Sequence, residues 1–172
     1  MRNIVRYIVL FAVTLLFQTF FFDRLTLSVY FAPMIYIAVL VLLPVSTPSV
    51  VNLLVGFAAG AAMDVLCGTA GLHTIASVAA GYMRRPLLAA IVGHDGIRDG
   101  NVPSARSMGV RQFYQYFILI TIFHAIVFYV FECFTVGHIV RTLLRFSVGT
   151  LSSLLFLWIT AYMFTPKISL RQ

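Results

Sequence analysis

The chain has 172 residues, of which 61% are hydrophobic and only 10% are charged, and its mean hydropathy is +0.99. This composition excludes a soluble domain and predicts a single polytopic membrane domain over residues 1–172, with room for about six spans of ~20 residues. The formal net charge of +7 is explained by basic loops that orient a membrane protein, so nucleic-acid binding is not expected.

Apolar runs along the chain predict an all-α integral membrane protein with about six transmembrane helices. The run at 32–43 is the shortest of them. The only long polar stretch, residues 92–112, is rich in Gly, Asp, Asn, Pro and Ser and is predicted to be a cytoplasmic loop. The predicted spans are residues 4–22, 32–43, 49–66, 71–91, 113–131 and 140–164.

The distribution of basic residues predicts the orientation of these spans. If both termini are cytoplasmic, the inner side holds nine Arg and Lys residues and the outer side holds three, which agrees with the positive-inside rule. Arg84 and Arg85 then lie at the inner end of the fourth span, where we expect them to contact anionic headgroups. The nine are Arg2, Arg6, Arg84, Arg85, Arg98, Arg106, Arg111, Lys167 and Arg171; the three are Arg24, Arg141 and Arg145.

Small residues mark the third and fourth spans as a closely packed pair. Gly56, Gly60 and Asp64 follow one another at intervals of four residues, so they share one helix face. A face of this kind lets two backbones approach closely. An unpaired carboxylate is expensive in lipid, so Asp64 is predicted to point into the bundle. A hinge at Gly68–Gly71 follows, and the next helix repeats the spacing with His73, Ser77, Gly81 and Arg85.

Polar residues in the outer half of the predicted bundle form a candidate cluster or pocket. Acids and arginines at similar depth can pair, so either Glu132 or Asp64 is predicted to be the partner of Arg145. Such clusters more often hold helices together than carry out a reaction, and buried histidines are more often hydrogen-bonded than ligands. The candidate residues are Asp64, His73, His124, Glu132, Arg141 and Arg145.

Signatures of catalysis and of metal or cofactor binding are not found in the sequence. It has no nucleophile elbow, no Gly-rich phosphate loop and no zinc-ligand spacing, so we expect neither an enzyme nor a cofactor. Cys67 and Cys133 form no metal motif, and free thiols are favoured over a disulfide.

The stretch GFAAGAAMDVLCGTAGLHTIASVAAGYMRRP at residues 56–86 resembles the core of the rod shape-determining protein family MreD. In that family a glycine-containing helix carries an Asp, a Gly-rich hinge follows, and a small-residue helix ends in a basic segment. The basic start MRNIVRYIVLF and the segment TLLRFSVGTLSSLL are also similar to the family. The matching positions are Gly56, Asp64, Gly68, Gly71, Tyr82 and Arg85.

The resemblance implies a non-catalytic subunit of the bacterial cell-elongation machinery in the inner membrane. Such a subunit would bind the bitopic protein MreC and, with it, link MreB to peptidoglycan synthases. The implied fold is similar to that of the substrate-binding subunits of energy-coupling-factor transporters. Its outward-facing pocket would be lined or closed by Asp64, Glu132, Arg141 and Arg145.

The sequence is also compatible with two other functions, and it does not indicate the oligomeric state. One is a vitamin-binding subunit of the energy-coupling-factor type, although mutually neutralised charges would leave little to recognise a vitamin. The other is a carrier of a lipid or cell-wall precursor, in which Arg141 and Arg145 would bind a pyrophosphate.

Overall fold

A computed structural model describes residues 2–22, 32–96, 103–136 and 139–164. The described residues form helices and connecting turns, without a strand. The order is α1 (Arg2–Phe17), extended by a π-helical turn (Gln18–Phe22), then a 3₁₀ turn (Ile35–Ile37) that runs into α2 (Ala38–Val41), followed by α3 (Ser49–Cys67), α4 (Leu72–Gly96), α5 (Ala105–Met108), α6 (Val110–Val136) and α7 (Ile139–Phe164).

Four of these helices are long and apolar enough to cross a membrane. They are Ser49–Cys67, Leu72–Gly93, Val110–Phe134 and Val140–Met163, and a shorter apolar helix covers Tyr7–Phe20. Large apolar side chains are exposed on their outer faces, among them Leu54, Phe57 and Leu151. An exposed apolar surface of this extent is suited to lipid, so the chain is a multi-pass helical membrane protein.

The predicted second span is the main departure from the sequence-based expectation. Residues 32–43 hold only three residues of 3₁₀ helix and four of α-helix, which is too short to cross a bilayer. Pro33 and Pro44 explain these limits, because proline interrupts helical hydrogen bonding and restricts the residue before it. We refer to Met34–Leu43 as the central segment.

The central segment is the most deeply buried part of the described chain. Each of its residues is at most 7% exposed. It runs antiparallel to α1, since Gln18 binds its start at Pro33 and Ile35, whereas the Tyr7 hydroxyl donates to the Leu42 carbonyl near its end. Short and irregular backbone is tolerated at membrane depth only when protein surrounds it in this way.

The predicted close pairing of α3 and α4 is confirmed. A Cβ atom added to Gly56 would lie 2.6 Å from the Ser77 carbonyl oxygen, and one added to Gly81 would lie 2.7 Å from that of Asn52. At Gly60 a Cβ atom would overlap the Thr74 backbone. The helices are therefore antiparallel and in backbone contact.

The predicted hinge between α3 and α4 is also confirmed. Gly68 ends α3 in the left-handed conformation with φ 67°, and Gly71 has φ 86° just before α4. Both values lie in the region that side chains disfavour, so glycine suits the tight turn at each position.

The predicted loop at 92–112 is partly helical instead. Helix α4 continues to Gly96 beyond a kink at Gly93, and α5 occupies Ala105–Met108. The Ser104 side chain accepts from the Ser107 backbone N–H in a capping box, which stabilises this short helix. Residues 97–102, including Arg98, lie outside the described chain, as do Arg24, Lys167 and Arg171.

Replacing Gly60 with valine should lower the free energy of unfolding by about 2–3 kcal/mol, because the side chain would have to displace the α4 backbone. Ala58→Val is the matched control, since Ala58 is exposed on the same helix and should change stability by less than about 0.5 kcal/mol. Equilibrium unfolding in mixed micelles measures both variants. Equal losses would contradict the close approach.

Candidate functional site

Buried polar side chains from several helices meet the central segment at three levels. Arg84 lies at its C-terminal end, the hydroxyl of Tyr36 lies within it, and an ion pair between Glu132 and Arg145 lies beyond its N-terminal end. Helix α7 connects the start of the segment with the ion pair. The Met34 N–H donates to Ser153 Oγ at 2.7 Å, and Ser153 lies two helical turns along α7 from Arg145.

Arg84 is completely buried and binds the C-terminal end of the central segment. Its Nη2 donates to the carbonyl of Leu43 and, at 3.1 Å, to that of Pro44. Its Nη1 donates to Asn52 Oδ1 at 3.2 Å. Leu43 and Pro44 follow Leu42, the C-cap of α2, and their carbonyl oxygens stabilise the buried cation through charge-assisted hydrogen bonds.

Tyr116 on α6 completes this lower level. Its hydroxyl accepts from Arg84 Nε at 3.1 Å and donates to the Val41 carbonyl at 3.0 Å. The expectation that Arg84 reaches the headgroups is therefore wrong, because backbone carbonyls just after α2, together with Asn52 and Tyr116, bind its guanidinium inside the bundle. Arg85, the next residue, is exposed and lies 3.4 Å from Ser49 Oγ, as expected of a surface arginine.

The middle level is a network centred on the hydroxyl of Tyr36, which is fully buried. His124 Nε2 lies 2.9 Å from this oxygen, His73 Nδ1 lies 3.1 Å from it, and Ser77 Oγ donates to it over 3.2 Å. Both histidines were predicted to be buried and hydrogen-bonded. Tyr36 was missed, since nothing in an apolar run indicates which tyrosine lies inside the bundle.

The hydrogen-bonding capacity of the Tyr36 hydroxyl limits where the protons of this network can lie. The Tyr36 hydroxyl has a single proton, so when it accepts from Ser77 it donates to one imidazole and accepts from the other. Two tautomeric arrangements satisfy all the contacts and differ only in the positions of protons. The network therefore ties α4 and α6 to the central segment.

Asp64 points inward as predicted, and it is the N-terminal cap of α4. One carboxylate oxygen accepts from the His73 N–H at 3.0 Å and the other from the Thr74 N–H at 2.9 Å. The hydroxyls of Thr69 and Thr74 also donate to it. These N–H groups have no partner within α4, and a carboxylate is favoured at a helix N-terminus. Asp64 is therefore not the partner of Arg145.

The upper level confirms Glu132 as the acidic partner of Arg145. Arg145 Nη1 contacts Glu132 Oε1, and the side chains are 25% and 8% exposed, respectively. Arg141 lies one turn away on α7 and is exposed. The predicted cluster is thus divided, because Asp64 and the two histidines belong to other parts of the bundle.

Other predicted features of the site concern cysteines and metals. Cys67 and Cys133 are both partly buried thiols, and neither is part of a disulfide. Within the described ranges, no group of three or more His, Cys, Asp or Glu side chains is arranged to hold a metal ion.

Comparison of the chain with protein-family models, with curated proteins and with solved structures finds no match. The fold and the site together define the class of protein as a multi-pass helical membrane protein with a short buried segment at its centre. Most polar side chains around that segment bind backbone groups or one another.

Arg84→Lys should lower the free energy of unfolding by about 3 kcal/mol, because one ammonium group cannot reach the carbonyls, Asn52 and Tyr116 together. Arg85→Lys is the matched control and should change it by less than about 0.5 kcal/mol. Unfolding followed by the fluorescence of the single tryptophan, Trp158, measures both. Similar values for the two variants would show that Arg84 does not hold the segment.

Asp64→Leu should destabilise the start of α4 by about 2 kcal/mol, because it leaves the His73 and Thr74 N–H groups without an acceptor. Asp64→Asn keeps one acceptor oxygen and should lose less. Hydrogen–deuterium exchange over residues 68–76 measures the effect, with residues 150–160 of α7 as the internal reference. Exchange that is unchanged in the leucine variant would rule out the capping role.

Proposed function

We propose that the chain is a non-catalytic subunit of the bacterial cell-elongation complex in the inner membrane, related to MreD. It binds an MreC-like bitopic protein and helps position peptidoglycan synthesis, and through this complex it connects with MreB and the synthases. Both termini are cytoplasmic in this proposal. The support comes from the MreD-like stretch and from what its residues do in the bundle.

The observation that carries the proposal is the filled centre of the bundle. The central segment occupies the middle with side chains that are at most 7% exposed. Its polar backbone groups are hydrogen-bonded to neighbouring helices. A packed interior favours a protein that acts through its outer faces and its ends, since a small-molecule site needs a concave, accessible cavity.

The residues of the MreD-like stretch support the same conclusion. Gly56 and Gly60 bring two backbones together, Gly68 and Gly71 shape the turn, and Asp64 caps the next helix. Each of these roles is structural. A rigid helical pair is suited to a scaffold that presents fixed surfaces to a partner.

The vitamin-binding alternative receives less support. Its pocket would be lined by Asp64, Glu132, Arg141 and Arg145, but Asp64 is fully engaged at the start of α4. The remaining three lie together near the ends of α6 and α7. Among the described residues, the four candidate pocket residues therefore place no charged group in the middle of the bundle for ligand recognition.

Purification of the tagged chain from its native membrane in a mild detergent tests the proposal. We expect an MreC-like bitopic protein to be recovered with it, together with elongation synthases. Recovery of an ATPase module with a transmembrane coupling subunit, or of a tightly bound vitamin, would overturn the proposal and favour the transporter alternative.

Photo-crosslinking from single positions tests whether the outer faces carry the interaction. A photoreactive amino acid at Phe57 on α3 or Leu151 on α7 replaces an exposed side chain, whereas one at Leu157 replaces a buried side chain of α7 and is the matched control. We expect a crosslink to the MreC-like partner from an exposed position only. Crosslinks solely to lipid from both exposed positions would argue against these faces.

A further inference from the structure

The upper level of the site contains buried polar atoms that lack hydrogen-bond partners. They are Glu132 Oε2, Arg145 Nε and the Tyr129 hydroxyl. Glu132 and Tyr129 are both more than nine-tenths buried. Buried polar groups are nearly always hydrogen-bonded, so the unpartnered atoms of the Glu132–Arg145 pair indicate that a group is missing from their surroundings. The Tyr129 hydroxyl packs against Gly149, one helical turn along α7 from Arg145.

The three atoms require complementary partners. The carboxylate oxygen of Glu132 can only accept when ionised, the Nε–H of Arg145 can only donate, and the Tyr129 hydroxyl can do either. One molecule that satisfies the unpartnered atoms of Glu132 and Arg145 must carry both an acceptor and a donor. Arg141 adds an exposed guanidinium one turn from Arg145, so the acceptor is favoured when it is anionic.

The position of the cluster along the helices matches the headgroup region of a bilayer. Glu132 lies one turn before α6 ends at Val136, and Arg145 lies six residues after α7 begins at Ile139, which is about 9 Å along the axis. Arginine side chains at this depth extend toward the interface. The Arg145 side chain is one-quarter exposed, so its guanidinium connects the buried pair with the surface.

We propose that this cluster is a binding site for a phospholipid headgroup that carries a phosphodiester together with an N–H or O–H donor. The phosphate oxygens accept from Arg141 and from Arg145 Nε. The ammonium of a phosphoethanolamine headgroup, or a hydroxyl of a phosphoglycerol headgroup, donates to Glu132 Oε2. The inference does not depend on the proposed function.

Other occupants satisfy fewer of these atoms. A carboxylate from a partner protein would accept from Arg145 but would leave Glu132 Oε2 without a donor. A phosphocholine headgroup has the phosphate but no N–H or O–H group. The donor requirement therefore predicts a preference among phospholipids, which attraction to the arginines alone would not produce.

Titration of the delipidated protein in detergent with dioleoyl lipids, followed by native mass spectrometry, tests the site. Phosphatidylethanolamine or phosphatidylglycerol should bind about tenfold more tightly than phosphatidylcholine, the ratio expected for one hydrogen bond to a charged group. A larger preference for phosphatidylethanolamine identifies the ammonium as the donor, and one for phosphatidylglycerol identifies the hydroxyls. Equal affinities for all three lipids would overturn the proposal.

Two variants separate the roles within the site. Arg141→Gln should weaken the binding of all three lipids by a similar factor, about tenfold, because it removes a phosphate contact. Arg111→Gln, at an exposed arginine at the start of α6 and so at the opposite end of that helix from Glu132, is the matched control and should leave binding unchanged. Equal effects of the two substitutions would mean that the lipid is held by diffuse positive charge and would overturn the site.

Glu132→Gln should abolish the preference over phosphatidylcholine while the phosphate contacts remain. Thermal unfolding followed by Trp158 fluorescence establishes that the variant is folded, and Arg141→Gln provides the test if it is not. A folded Glu132→Gln variant that keeps the wild-type preference would show that the donor does not meet Glu132.

Discussion

The structure depends on one constraint, which is that the short central segment must have its backbone groups satisfied at membrane depth. An unpaired N–H or carbonyl group in an apolar interior costs several kcal/mol. Gln18 and Ser153 bind the start of the segment, and Tyr116 and Arg84 bind its end. These four side chains come from four different helices, so the same contacts that satisfy the segment also hold the bundle together.

The positions of the buried charged side chains follow from the same need for hydrogen-bond partners. Arg84 is buried because the carbonyls of Leu43 and Pro44 accept from its guanidinium. Asp64 is buried because the first N–H groups of α4 meet its carboxylate, which uses the partial positive charge at a helix N-terminus. Glu132 and Arg145 instead neutralise each other. Their remaining atoms have no such backbone partners, so this level is where an external group would be stabilised.

What could be predicted from the sequence depended on how local the determining contacts are. The pairing of α3 with α4 follows from glycine spacing within one helix and from a turn that directly follows it, so Gly56, Gly60 and Asp64 were placed correctly. The central segment could not be predicted, because Met34 is bound by a side chain 119 residues away and Leu43 by one 41 residues away. The apolar run at 32–43 has the composition of a transmembrane helix. The contacts that allow it to form a short buried segment instead come from distant side chains, so its composition does not reveal them.

The distinction between Arg84 and Arg85 shows why the resemblance alone cannot assign function. Two adjacent arginines at a helix end are equivalent to any rule that counts basic residues, yet one is a buried structural group and the other is exposed. Similarly, Asp64 belongs to the MreD-like stretch, but its four hydrogen bonds account for its presence without a ligand. Because function resides in particular sites and not in the fold, evidence for the elongation complex has to come from the exposed helix faces.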